Sequence, residues 1–266
     1  MCAKAIIFLL SLVLFIIVSQ GHPESRIVGG FAVNSVRHPY MASLRYRRNV
    51  LDGSGYLHEC AGVIYSERAI VTAAQCLWGL SEGSKLMAVV GAQTRNGTDG
   101  MIYPISQWSY HPNFDYYTAD YDIGVVVLAM PMDLAGHEVR AIGIRTERPG
   151  VGRNAIAAGW GYREEGGPSS YWLEQVHVPI VSVEKCGEVY GANQITERMI
   201  CAGDLTEGGR DACQGDTGGP LVIDEQLVGL VSWGRGCARI GYPTVYTYVS
   251  SLKDWIDETL AAINEL

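Results

Sequence analysis

At 266 residues, 48% of them apolar, the chain has material for one large domain or two small ones. Its formal net charge of −8 speaks against nucleic-acid binding and against any general attraction to anionic lipid. Thirty-two glycines among short β-branched runs favour an all-β architecture.

Taken in chain order, Lys4 precedes an apolar run from Ala5 to Val18 that gives way to “SQG”. A charged start, a short apolar stretch and a small-residue exit predict a secretory signal peptide over 1–21. The run is shorter than the roughly 20 residues that span a bilayer. Removing it discards Lys4 and no acids, so the mature charge is about −9. A short propeptide is expected at 22–26 and the folded domain at 27–266. Cys2 leaves with the signal, and Cys60, Cys76, Cys186, Cys201, Cys213 and Cys237 remain. An even count in a secreted chain predicts three disulfides, with connectivity open by count alone. No C-x-x-C pair suggests zinc, and neither a metal nor another cofactor is expected.

Strand-length runs follow, bounded by turn residues: “YMASLRY” (40–46), “AGVIYS” (61–66), “KLMAVVG” (85–91) and “IGVVVLAM” (123–130). A softer segment at 131–140 separates them from a second group: “NAIAAGWG” (154–161), “EQVHVPIV” (174–181), “PLVIDEQLVGLVSWG” (220–234) and “TVYTYV” (244–249). “DEQ” at 224–226 predicts a hairpin turn. The division places an N-terminal unit at about 27–130 and a C-terminal one at about 141–250. In 251–266, Leu252, Trp255, Ile256, Leu260 and Ile263 fall on one helical face, with Ser251 and Asp254 offered as a capping pair. The acidic polar face disfavours membrane binding by that helix. Asn96-Gly97-Thr98 is a glycosylation sequon in a polar loop. The loop's single acid, Asp99, is too few for calcium.

“RIVGG” (26–30), “TAAQC” (72–76), “YDIGVVVL” (121–128), “DACQGDTGGP” (211–220), “VSWGRGC” (231–237) and “YPTVYTYV” (242–249) resemble, in order and spacing, the chymotrypsin/trypsin-like serine proteases. The resemblance covers Ile27 to the end. It implies two six-stranded antiparallel β-barrels with a C-terminal α-helix and a cleft between the barrels. It also implies disulfides Cys60–Cys76, Cys186–Cys201 and Cys213–Cys237.

In that family a serine attacks the scissile carbonyl, a histidine moves its proton, and a buried aspartate orients the histidine. Here Asp122 fills the aspartate position, but Gln75 stands for the histidine and Thr217 for the serine. A carboxamide takes up no proton near neutral pH, so it is no general base. Threonine adds a methyl and stiffens χ1 beside the hydroxyl. Gly215 and Thr217 would supply the oxyanion-hole N–H groups, with Ala61 expected to add a methyl near the cleft. Asp211, Ser232 and Gly234 match the specificity pocket, which Thr244 should narrow. Arg26-Ile27 resembles an activation site whose freed ammonium would pair with Asp216.

Finer likeness in “GWGYREEGG” (159–167) and “NQITERMICAGD” (193–204) is to the mite group 3 allergen trypsins and their inactivated scabies mite paralogues. That resemblance implies a secreted pseudoprotease acting as a binding protein on host proteins, complement components first. The alternatives are a weak or highly specific trypsin-like endopeptidase, or a decoy that shields substrates.

Overall fold

Runs of buried β-branched residues, cut by tight turns, build the molecule from strands. The computed structural model describes residues 27–47, 55–81 and 85–264. The expected signal peptide, the propeptide and Arg26 lie outside the described residues. A two-residue strand β1 (Phe31–Ala32) leads in. Then β2 (Met41–Tyr46), β3 (Leu57–Ile64), β4 (Ala69–Thr72), β5 (Leu86–Val90), β6 (Met101–Tyr110) and β7 (Gly124–Leu128) close into a barrel in the order β2-β3-β4-β7-β6-β5.

The second barrel comprises β8 (Asn154–Gly159), β9 (Glu174–Val181), β10 (Met199–Ala202), β11 (Pro220–Ile223), β12 (Gln226–Trp233) and β13 (Thr244–Tyr248). Its order is β9-β10-β13-β12-β11-β8, closed by β8 pairing with β9. All pairings between named strands are antiparallel, and the described fold is the expected pair of six-stranded barrels. The lead strand departs from the expected division: Phe31 pairs with Gln175 and Ala32 with Glu174, on the second barrel's sheet.

Every residue of β4, β7 and β13 is buried, which is why these strands read as continuous apolar runs rather than alternations. Val126 and Leu128 fill the first barrel, while Leu221, Val228 and Tyr246 fill the second. At the β11–β12 hairpin Asp224 and Glu225 adopt φ of 50° and 58°, the left-handed pair of a two-residue turn. All three implied disulfides are present.

Two helices flank the second barrel's chain. In α1 (Val183–Tyr190) the Ser182 hydroxyl accepts from Lys185 N at 3.1 Å. The terminal helix α2 (Lys253–Asn264) is entered through a 3₁₀ turn at Val249–Leu252. The expected Ser251–Asp254 cap is not formed, because the Ser251 hydroxyl donates instead to Tyr248 O at 2.7 Å. The helix's apolar face packs as expected: Leu252 and Ile256 are buried, with Trp255, Leu260 and Ile263 against the same core. Among the described residues no helix is long and apolar enough to cross a membrane.

Candidate active site

The 3₁₀ turn Ala74–Cys76, tied to β3 by the Cys60–Cys76 disulfide, places Gln75 between the barrels. Asp122, just before β7, is 1% exposed and lies under it. Gln75 N donates to Asp122 Oδ1 at 2.9 Å, and its side-chain Nε2 donates to Asp122 Oδ2 at 2.6 Å. The same Nε2 reaches Ser232 O at 2.9 Å, and the Ser232 hydroxyl donates to Asp122 Oδ2 at 2.6 Å. Both N–H groups of the carboxamide are therefore spent, leaving only its oxygen toward the cleft. Burial raises the Asp122 carboxyl above its usual range, against the hydrogen bonds from Ser232 and Gln75. A neutral amide gives that carboxylate no cation to answer it.

Thr217 sits half-buried after the tight turn at 213–216. Among the described residues its hydroxyl has no hydrogen-bonding partner, and none of the histidines reaches it. The oxyanion loop is nonetheless assembled. Gly215 takes φ of 95°, and neither Gly215 N nor Thr217 N meets an acceptor among the described residues. Two preorganised donors thus stand free, as a developing oxyanion requires. From behind, His58 Nε2 holds the Gly215 carbonyl at 2.8 Å. Its Nδ1 accepts from the Ser43 hydroxyl at 2.8 Å, and Ser43 Oγ accepts from Arg45 Nε at 3.2 Å. Burial pushes His58 down to about 3, outweighing the bond to Gly215, so the ring is a neutral strut.

Ala61 does not crowd the cleft as expected. It is fully buried; its N–H donates to Thr217 O at 2.8 Å, and its methyl lies on the Gly219 side of the strand.

The specificity pocket is closed by its own wall. Asp211, 2% exposed, accepts from Ala212 N at 2.9 Å and Ala238 N at 3.0 Å. Thr244 is 4% exposed, and its hydroxyl lies 3.4 Å from where a side chain on Gly234 would begin. Burial pushes Asp211 up to about 7. Thr244, expected to narrow the pocket, is itself buried and stands beside Gly234.

Asp216 is completely buried, accepting from Gly161 N at 2.7 Å and Cys213 N at 2.9 Å. Glycine is required opposite: a side chain on Gly159 or Gly161 would begin 2.0 or 2.5 Å from its carboxylate. Burial raises Asp216 to about 7. Beyond the activation bond, Val28 O accepts from Asp211 N at 3.1 Å. The segment after Ile27 is thus seated on the pocket floor.

An aromatic wall beside Gln75 escaped the sequence reading. A 290 Å³ hollow runs from Gln75 along Phe114, Tyr116, Tyr117 and Trp233. Trp78 stacks on Tyr116 at 4.5 Å, while Tyr117 is 96% exposed. The segment is pinned to the other barrel by Arg198, whose guanidinium reaches Asp120 at 2.7 Å and covers the Tyr121 ring at 4.2 Å. The signal was there to read: four aromatic residues in the nine positions before Asp122, in “NFDYYTADY” (113–121). Elsewhere, the Asn96 side chain is exposed and accepts from His58 N at 2.8 Å. Asp99 spends its oxygens on Thr94 and on Gln93 N, locking its own loop.

The trypsin family model matches residues 27–256, with both barrels and the cleft inside the match. The chain belongs to the trypsin family. It is 44% identical over 253 residues to trypsin eta of Drosophila melanogaster, covering 95% of this chain and 94% of that one. It is 40% identical over 248 residues to trypsin zeta of the same fly, covering 91% and 88%. A vitellin-degrading protease of Bombyx mori is 39% identical over 241 residues, covering 89% and 86%. These relatives are named as proteases. They overturn the expectation of a non-proteolytic binding protein directed at complement, for which no residue of the fold speaks.

Proposed function

We propose that the chain is a secreted trypsin-like serine endopeptidase of the weak or narrowly selective kind. The observation that carries this reading is the intact half of the machinery. Gly215 and Thr217 present two N–H groups with no acceptor among the described residues, beside the Thr217 hydroxyl, and Gln75 lines a hollow of 290 Å³. Oxyanion donors and substrate binding alone sustain roughly 10³–10⁴ over the uncatalysed rate when triad members are missing. Gln75, with both N–H groups engaged, supports turnover near that floor, since it accepts a hydrogen bond but carries no proton to the leaving amine. In this sense the inactivity expected from Gln75 and Thr217 becomes a statement about rate.

Selectivity follows from two walls. Thr244 over Asp211 disfavours long cationic side chains, while Tyr116, Tyr117 and Trp233 offer ring faces to apolar ones. The three disulfides suit the secreted setting that the first 21 residues predict. The finer kinship with the mite group 3 trypsins is proposed on the segments at 159–167 and 193–204.

The test is exhaustive digestion of a peptide library by the purified protein, read by mass spectrometry, with a fluorophosphonate probe to label residue 217. Cleavage about 10³–10⁴ above the uncatalysed rate that Thr217→Ala lowers by less than about tenfold supports the reading. Cleavage abolished by Thr217→Ala, or none above the uncatalysed rate, refutes it.

A further inference from the structure

At the seam between the barrels opens a cavity of 740 Å³ that shares no residue with the cleft. The turn at 36–40, the inter-barrel linker at 140–143, strands β8 and β9 and the β11–β12 hairpin surround it.

Its inner wall is a relay of polar side chains, two of them buried beyond nine-tenths: His38 is 4% exposed and Gln175 is 2%. The polarity of the relay is assigned by its members. Gln175 Oε1 only accepts, so His38 Nε2 donates to it at 2.8 Å. His38 Nδ1 must then accept from the Tyr40 hydroxyl, also at 2.8 Å. Burial lowers the affinity of His38 for a second proton, which keeps this arrangement. Gln175 Nε2 continues to His177 Nε2 at 3.4 Å and retains one N–H. The floor beside this wall is apolar, with Ile142 and Val222 at 6% and 5% exposure and Ile156 next to them.

The mouth is cationic although the chain is acidic. Arg37 and Arg140 line it, both exposed, and among the described residues neither guanidinium has a partner. Two acids share the rim, Asp224 and Glu225. Asp224 is already answered twice, by Arg153 at 2.7 Å and Arg145 at 3.5 Å. Two unpartnered guanidiniums therefore stand at the mouth beside two carboxylates, one of them already taken up by arginines outside the cavity lining, in a chain whose overall charge is −8.

We infer that this cavity is a binding site for a small organic carboxylate with an apolar body. The body lies on Ile142, Ile156 and Val222, and the carboxylate meets Arg37 and Arg140 at the mouth. Forked guanidinium donors match a carboxylate in two-point geometry, and the spare N–H of Gln175 adds a donor from the wall. The volume is that of an ordinary small-molecule pocket. Binding here leaves the cleft chemistry untouched, so this inference stands apart from the proposed proteolysis.

Octanoate is the probe, titrated calorimetrically into the whole protein beside octanol and acetyl-Ala-Leu. The expected result is an octanoate Kd below about 1 mM, at least tenfold tighter than octanol. Reversing both exposed arginines (Arg37→Glu with Arg140→Glu) should weaken octanoate at least tenfold with an unchanged melting temperature. Thr217→Ala should change nothing. Equal affinity for octanol, indifference to the charge reversal, or no heat up to about 10 mM would overturn the assignment. Tighter binding of acetyl-Ala-Leu would overturn it too, in favour of a polypeptide C-terminus.

Discussion

Thr244→Gly should turn a plugged pocket into a cation site, with a pH dependence set in advance by Asp211. In the native chain Thr244 is buried beside Gly234, and burial raises the Asp211 carboxyl to about 7. Removing the side chain loses its buried packing and adds glycine's strand penalty of roughly 0.5–1 kcal/mol. The variant should therefore fold with a melting temperature lowered by several degrees. Benzamidine, a flat amidinium, should then pair with Asp211 in two-point geometry. Where the carboxyl of the free pocket holds a proton, the cation must displace it, so affinity should rise by up to tenfold per pH unit from acid pH and level off once the carboxyl is ionised, with no further gain between pH 8 and pH 9. Calorimetry across that range reads both affinity and slope. Asp211→Asn added to Thr244→Gly should abolish binding. A folded Thr244→Gly that ignores benzamidine at pH 8, or a native chain that binds it equally well, would refute the plug.

Four further outcomes follow from the site. Restoring Gln75→His together with Thr217→Ser should raise kcat/KM by about 10² or more on a peptide with an apolar specificity residue, whereas each change alone should do far less, because triad members act as a unit; progress curves with active-site titration decide it. In the native background Asp122→Asn should leave peptide turnover within about threefold, because there is no imidazole for it to orient; a loss as large as in active triads would contradict the role given to Gln75. Cutting after Arg26 frees an ammonium for Asp216, a carboxyl raised from 3.8 to about 7. A raised carboxyl stabilises the fold below pH 3.8 and loses that contribution as pH climbs through 7, so the cut protein should melt higher than the uncut one at pH 8 and much less so at pH 4. His58, lowered to about 3, runs the opposite way: its contribution is present above pH 6.5 and lost as pH falls towards 3, and its ring resonances should remain those of neutral imidazole at pH 4.5.

The strands easiest to find in the sequence were those buried on both faces, such as β7, where five consecutive residues are inside. Strand β6 was missed because its residues are mostly exposed and Pro104 interrupts it, so neither alternation nor an apolar run marks it. Helix α1 is two turns long and draws on the Ser182 cap and the Cys186–Cys201 disulfide, too short a signal for periodicity. Of the site, the places of Gln75, Asp122, Thr217 and Asp211 were legible because motifs fix them. The direction of the Ala61 methyl was not, since the side a strand residue faces depends on its pairing. Nor was the seam cavity, whose central bond joins His38 to Gln175 across 137 residues.

The pairing of β1 with β9 bears on how the molecule is made. Residues 41–128 hold every strand of the first barrel and can close it while the rest of the chain is still on the ribosome, yet Phe31 and Ala32 find their neighbours only once Gln175 and Glu174 emerge. Until then Phe31 and Ala32 have no strand to pair with. Nascent chains arrested near residue 150 should be cut around Phe31 far faster than released protein, so that synthesis of the second barrel, rather than of the first, is what shields the lead strand.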